Sequence, residues 1–279
     1  MDSQTRRITL RQQTFLVIII SSLLLFGLVL SGLLIGDEKL RINPQAINKA
    51  PSLAHLFGTD WLGRDMLVRT LKGLSLSFGV GVLAAFVSAL IALILSLLAS
   101  SNRMIDQMVT WLIDLFLSVP HLVLLLLISF SMGGGFQGVV IGLALTHWPS
   151  LTRLLRAEML QVKTTKYIAL SEQLGKSRLW IARHHILPHL LPQLFIGFVL
   201  LFPHAILHEA AITFLGFGLS SEQPAIGIIL SESMRYLSTG KLWLALFPGL
   251  SLLLMVVLFD MLGQALRKWI DPFDGQKGV

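Results

Sequence analysis

From Leu74 to Ser100 no residue carries a charge, and the same is true from Thr14 to Gly36. A bilayer core about 30 Å thick is crossed by roughly 20 apolar residues of helix. Runs of this length confine the chain to lipid, where backbone polar groups must be paired within each helix. Composition agrees: 54% of the 279 residues are hydrophobic, 13% are charged and the mean hydropathy is +0.76. A soluble domain carries roughly twice that share of charge. There is no cysteine, which excludes disulfides and thiolate metal sites. The net charge of +7 reads as membrane topology rather than nucleic-acid binding, because Lys and Arg concentrate on the cytoplasmic side of membrane proteins.

Four further runs qualify as spans: Met108–Met132 with Asp114, Gly133–Leu151, Leu190–Phe217 with His204, His208 and Glu209, and Leu242–Leu266 with Asp260. The expectation is an all-α membrane protein with six transmembrane helices. Its segments are a cytoplasmic stretch 1–13, an anchor helix 14–36, an extracytoplasmic loop 37–73, a five-helix core 74–266 with an inward loop at 152–189, and a tail 267–279. The first apolar run is too long for a signal-peptide core and reaches Gly36-Asp37-Glu38 without a small-x-small cleavage site, so it is expected to stay as an anchor. With both termini inside, fourteen Lys and Arg fall on the cytoplasmic side and eight on the other. That asymmetry sets the expected orientation.

One stretch breaks the apolar pattern. Within Thr164–Pro188, Tyr167, Leu170 and Leu174 recur at helical spacing, Gly175 interrupts, and Leu179, Ala182 and Ile186 recur before Pro188. This predicts two short amphipathic helices around a glycine turn. Physics leaves two homes open for their apolar sides, a groove on a partner protein or the lipid headgroups. Gly175-Lys176-Ser177 ends like a nucleotide-binding loop. The required glycine five residues earlier is Leu170, so ATP binding by this chain is not expected.

The stretch resembles the EAA loop of ABC importer permeases. Gly175 and Leu187-Pro188 fall at that loop's spacing, and Ala169-Leu170-Ser171 occupies the EAA position. Phe57-Gly58-Thr59-Asp60-Trp61-Leu62-Gly63-Arg64-Asp65 resembles the LGTDxxGRD segment of the second permease subunit of dipeptide, oligopeptide and nickel importers. Thr213–Gly218 is similar to their SFLGLG segment, and Ala265-Leu266-Arg267 with Asp271-Pro272 to their C-terminal ending. Ile226-Gly227 departs from a common Trp-Gly. The resemblance implies a type I ABC importer permease fold in the bacterial inner membrane. Tyr167, Ala169, Leu170, Ser171, Gly175, Leu179, Leu187 and Pro188 would then carry coupling to the motor. The implied partners are a homologous permease forming a heterodimer, two cytoplasmic ATPase subunits holding ATP and Mg2+, and an extracytoplasmic binding protein. No cofactor is expected on this chain.

Local chemistry gives the Gly58–Asp65 piece a structural role. Gly58 and Gly63 permit positive φ, Asp60 can accept amides in an Asx turn, and Arg64 and Asp65 can form hydrogen-bonded ion pairs. Ionisable groups inside spans cost roughly 2.5–3.5 kcal/mol on insertion scales, so Asp114, Glu209 and Asp260 are expected to face the bundle interior. His204 and His208 lie four apart on one helix face, a spacing that can hold a borderline metal. The alternative is that they hydrogen-bond to neighbouring helices. Thr146-His147-Trp148 and Leu207-His208 resemble segments of nickel permeases. The expected substrate is nickel or a nickel chelate, with di- or oligopeptides as the alternative. His184, His185 and His189 are read as interfacial packing. A rival class, an intramembrane aspartyl enzyme, would use Asp114 with Asp260.

Overall fold

The computed structural model describes residues 2–220 and 222–270, with side chains from residue 11 onward except at 39. The regular elements in these residues are helical: α1 (Asp2–Leu34), α2 (Met66–Ala99), α3 (Arg103–Ser118), α4 (His121–Ser131), α5 (Gly135–Lys163), α6 (Lys166–Gln173), α7 (Arg178–Ile181), α8 (Leu187–Phe214), α9 (Ile226–Leu237) and α10 (Trp243–Ile270). Short 3₁₀ turns at Asp37–Leu40 and Pro44–Ala46 shape the loop between α1 and α2. A π-helical turn at Ala182–Ile186 joins α7 to α8.

The central helix is α2. Asp65 starts it by accepting the amides of Leu67 (3.0 Å) and Val68 (3.2 Å), two of the unpaired N–H groups of a helix start. The helix therefore begins eight residues before the expected span. Its buried face runs through Gly73, Ser77, Gly81, Ala84, Ala85, Ser88, Ala89, Ala92, Ser96 and Ala99. Small residues let backbones approach closely, which is how helices associate where lipid removes the hydrophobic drive. The Ser88 hydroxyl donates to the Ala144 carbonyl of α5 (2.8 Å), and that of Ser75 to Val29 of α1 (2.9 Å). Against α2 lie three apolar clusters. One is centred on Trp148, Leu155 and Leu190, one on Phe202, Ile206 and Met255, and one on Leu125, Leu143 and Ile212.

Among the described residues, four helices are long and apolar enough to cross a membrane: Arg11–Leu34 of α1, α2, the Arg178–Phe214 unit and α10. The expected span Met108–Met132 is not one helix. It is α3 and α4, bent by 96° at a two-residue break, and counts as a fifth crossing only if the pair is taken together. The cause is Pro120. Its ring disfavours helical backbone in the residue before it, and Val119 sits in the extended region (φ −92°, ψ 138°).

Other boundaries shift because helices outlast the bilayer. Helix α5 continues through Lys163, so residues 152–163 are helical rather than loop, and α8 already starts at Leu187. The turn Gly133-Gly134-Gly135 takes positive φ at all three positions (87°, 67° and 63°), and the Gly135 amide donates to the Gly218 carbonyl (3.1 Å). That bond puts the start of α5 and the end of α8 on one side. Of the tail, 271–279 with Asp271-Pro272 lie outside the described residues.

Candidate functional site

The Gly58–Asp65 segment is a clamp. Asp60 is fully buried; its Oδ1 accepts the amides of Leu62 (2.9 Å) and Arg64 (2.9 Å), and its Oδ2 accepts Arg64 Nε (2.7 Å) and Arg69 Nη1 (3.2 Å). The Asx turn is as expected, but Arg64 pairs with Asp60 rather than Asp65. The other oxygen of Asp65 faces His55 Nδ1 (3.0 Å). Arg69 goes on to Glu232 of α9, and Trp61 stacks on Tyr236 of the same helix (5.0 Å). The Thr59 hydroxyl donates to the Ala46 carbonyl and accepts the Lys49 amide (2.9 Å). Gly58 and Gly63 take φ of 72° and 73°. A side chain at Gly63 would collide with the Asn43 carbonyl. The segment thus ties the loop between α1 and α2 to α2 and α9.

At the other end of the bundle, α6 and α7 flank a turn at Gly175 (φ 73°). Ile168, Ser171, Ile181 and Ile186 hold this pair against the bundle. Leu170, Leu174 and Leu179 are 56%, 69% and 80% exposed, with Tyr167 and Ala169 also on the outside. The apolar stripe expected to run through Ile186 therefore divides: its Leu179 end points out and its Ile186 end points in. Leu187 is half-buried and Pro188 exposed at the foot of α8. His185 Nε2 and the Ser171 hydroxyl lie 3.0 Å apart, linking the two sides of the turn, while His184 stacks on Trp180 (4.3 Å) and His189 lies 3.9 Å from Glu158.

Among the acidic residues of the spans only Glu209 faces inward; it is fully buried, and its Oε1 accepts the Thr213 hydroxyl (2.9 Å). Asp114 and Asp260 do not. Asp114 is exposed on this chain and pairs with Arg153 across α3 and α5 (2.9 Å), and the exposed Asp260 accepts from Gln264 (2.6 Å). An ion pair or amide partner compensates each carboxylate in place of burial. A second pair, Arg156 with Asp106 (2.5 and 2.7 Å), fastens α3 to α5 beside it.

The expected His204 and His208 pair is also rearranged. His204 is exposed, and its part is a backbone carbonyl facing His208 Nδ1 (2.7 Å). The His208 ring meets His121 at the start of α4 (centroids 4.4 Å) and His147 in α5 (5.2 Å), and those two meet each other at 4.5 Å. One ring nitrogen from each of the three lies within 4.8 Å of the others. His121 is the residue that sequence reasoning missed; its signal was Pro120 inside an apolar run, which ends α3 and starts a new helix on the histidine.

Residues 88–273 match the family described as binding-protein-dependent transport system inner membrane component. The dipeptide transport system permease protein DppC of Alkalihalophilus pseudofirmus is 33% identical over 257 residues, covering 92% of this chain and 84% of the relative. The protein of the same name from Bacillus subtilis is 31% identical over 226 residues, covering 81% and 71%. The chain belongs to this transport family. Its fold is that of solved ABC transporters. One structure, of the MetNI methionine ABC transporter in inward-facing conformations, matches with a TM-score of 0.60 at 20% identity over 73% of this chain and 97% of that one. A second, of an amino acid ABC transporter with histidines, gives 0.55 at 18% identity over 70% and 91%. As an inner membrane component of such a system the chain is a transporter subunit, with ATP hydrolysis in separate subunits. The aspartyl-enzyme rival falls with this, and with the separate partners of Asp114 and Asp260.

Proposed function

We propose that the chain is one of two membrane subunits of an ATP-driven importer of di- or oligopeptides, and that α6 and α7 are its contact with the motor. The observation that carries the coupling role is the exposure of Leu170, Leu174 and Leu179 on a helix pair whose other side is anchored in the bundle. An apolar patch of this kind fits a groove on a partner. The peptide class comes from the names of the relatives, which favour it over the nickel substrate expected from the sequence. Six crossings follow if α5 and the bent α3 and α4 pair each count as one beside α1, α2, α8 and α10. The Lys and Arg asymmetry supports both termini inside, with α6 and α7 cytoplasmic and the Gly58–Asp65 clamp outside.

In this arrangement a binding protein delivers substrate at the clamped outer loop. The substrate passes between this chain and a homologous permease, and two ATPase subunits move the helix pair. The test is a reconstituted complex assayed for dipeptide-stimulated ATP hydrolysis and uptake, with nickel chelates compared. The double variant Leu170→Asp, Leu174→Asp is expected to insert at normal abundance and to lose the co-purifying ATPase. Full co-purification would overturn the docking role. Gly175→Val strains a left-handed position wherever it points, and is expected to leave ATP hydrolysis running without uptake.

A further inference from the structure

The histidines of α4, α5 and α8 are arranged as ligands. We propose that His121, His147 and His208 form a three-imidazole site for a borderline divalent first-row cation, of the Ni2+, Co2+ and Zn2+ class, and that such a cation travels as part of the cargo. The cargo role rests on the import reading above; the binding site does not.

Three observations converge. First, the ligand atoms already lie together, within 4.8 Å of one another, although they come from three separate helices. Metal–nitrogen bonds of roughly 2.0–2.1 Å would bring these nitrogens within about 3–4 Å of each other, a change that side-chain rotation can supply. Second, the rings are not stacked. His121 and His147 meet at 87°, His147 and His208 at 75°, and His121 and His208 at 56°. Edge-to-face rings of this kind keep a ring nitrogen clear of the neighbour's face, which a shared centre requires and which ordinary ring packing also allows.

Third, the tautomers are set from behind. His147 Nδ1 lies 2.9 Å from the Leu143 carbonyl, and His208 Nδ1 lies 2.7 Å from the His204 carbonyl. A carbonyl only accepts, so each Nδ1 carries the proton and each Nε2 keeps its lone pair. This is how metal-binding imidazoles are oriented, with the second nitrogen donating to a backbone oxygen. The His147 Nε2 left by this bond is buried and has no hydrogen-bond partner among the described residues, and neither does the buried His121 Nδ1. A buried polar nitrogen without a partner is destabilising, and a shared cation would satisfy both.

Imidazole donors without thiolates suit borderline cations rather than Mg2+ or Ca2+. Three neutral ligands leave coordination positions open, so a carboxylate and amine chelator such as a short peptide can stay on the metal as it passes. His121 and His208 are half-buried and His204 is exposed one turn away on α8, so the group is reached from the open face of this chain.

The test uses the full chain purified with its partner subunits. Ni2+ and Co2+ are titrated by calorimetry, and Co2+ coordination is followed by visible absorption. His121→Gln and His208→Gln sit at half-buried positions, and each is expected to weaken Ni2+ binding about tenfold or more and to remove the Co2+ imidazole spectrum. His204→Gln is expected to stay within about threefold of the wild type. Thermal unfolding in parallel provides a second readout: Ni2+ raises the midpoint of the wild type and not that of the His121→Gln, His208→Gln double variant. Equal Ni2+ affinity in the wild type and the double variant overturns the site. A complex that imports dipeptides with ATP but binds no Ni2+ also overturns it, and leaves the import reading standing. Ni2+ binding that needs the histidines in a complex with no ATP-driven uptake supports the site, and the import reading fails by itself.

Discussion

Asp60 receives four hydrogen bonds in a fully buried position, and one comes from Arg69, itself buried in the first turns of α2. Without the Asp60 charge, Arg69 keeps Glu232 as its sole carboxylate partner among the described residues and Arg64 loses its own, so the loss approaches but does not reach the roughly 3–5 kcal/mol of a fully broken buried pair. Asp60→Asn is therefore expected to lower the unfolding midpoint of the detergent-solubilised chain sharply, and a midpoint equal to the wild type would refute the clamp. Glycines divide by surroundings in the same way. Gly63→Ala must enter the left-handed region and also displace the Asn43 carbonyl, whereas Gly133→Ala meets open space. The second is expected to cost only about 1–2 kcal/mol and the first clearly more, measured on the same unfolding curves. Gly58, Gly63 and the Asx turn were legible in the sequence because turn chemistry is local. The choice of Asp60 over Asp65 as the partner of Arg64 was not, because it depends on how the loop folds back on α2.

At the scale of elements, α2 holds the bundle through small residues, so its tolerance is asymmetric. Ser88→Ala removes one interhelical hydrogen bond, worth about 0.6 kcal/mol in membrane proteins, and is expected to be nearly silent. Ala92→Leu overfills a fully buried position and is expected to cost about 1–3 kcal/mol; the pair can be compared by thermal unfolding. The long apolar runs made α1, α2, α8 and α10 readable from hydropathy alone. The bend between α3 and α4 was written in Pro120, yet a window of hydropathy averages over one proline and joins Met108–Met132 into a single span. The histidine group was out of reach for a different reason. Positions 121, 147 and 208 share no helical period, and only the packing of three helices brings them together, whereas the visible i, i+4 pair puts His204 outside the group.

For the whole molecule, the account is one of two ends. A clamped loop holds the start of α2 to α9, the Gly135 and Gly218 bond joins the start of α5 to the end of α8, and an exposed pair of short helices lies between the end of α5 and the start of α8. The central claim is that this pair lies in the cytoplasm against a motor. The chain contains no cysteine, so a single Leu174→Cys can be labelled without background. An impermeant maleimide is predicted to label it in inside-out vesicles stripped of ATPase subunits, to be blocked when those subunits are restored, and to leave it untouched in intact cells. Labelling from outside intact cells, or labelling that restored ATPase subunits do not reduce, would contradict the account.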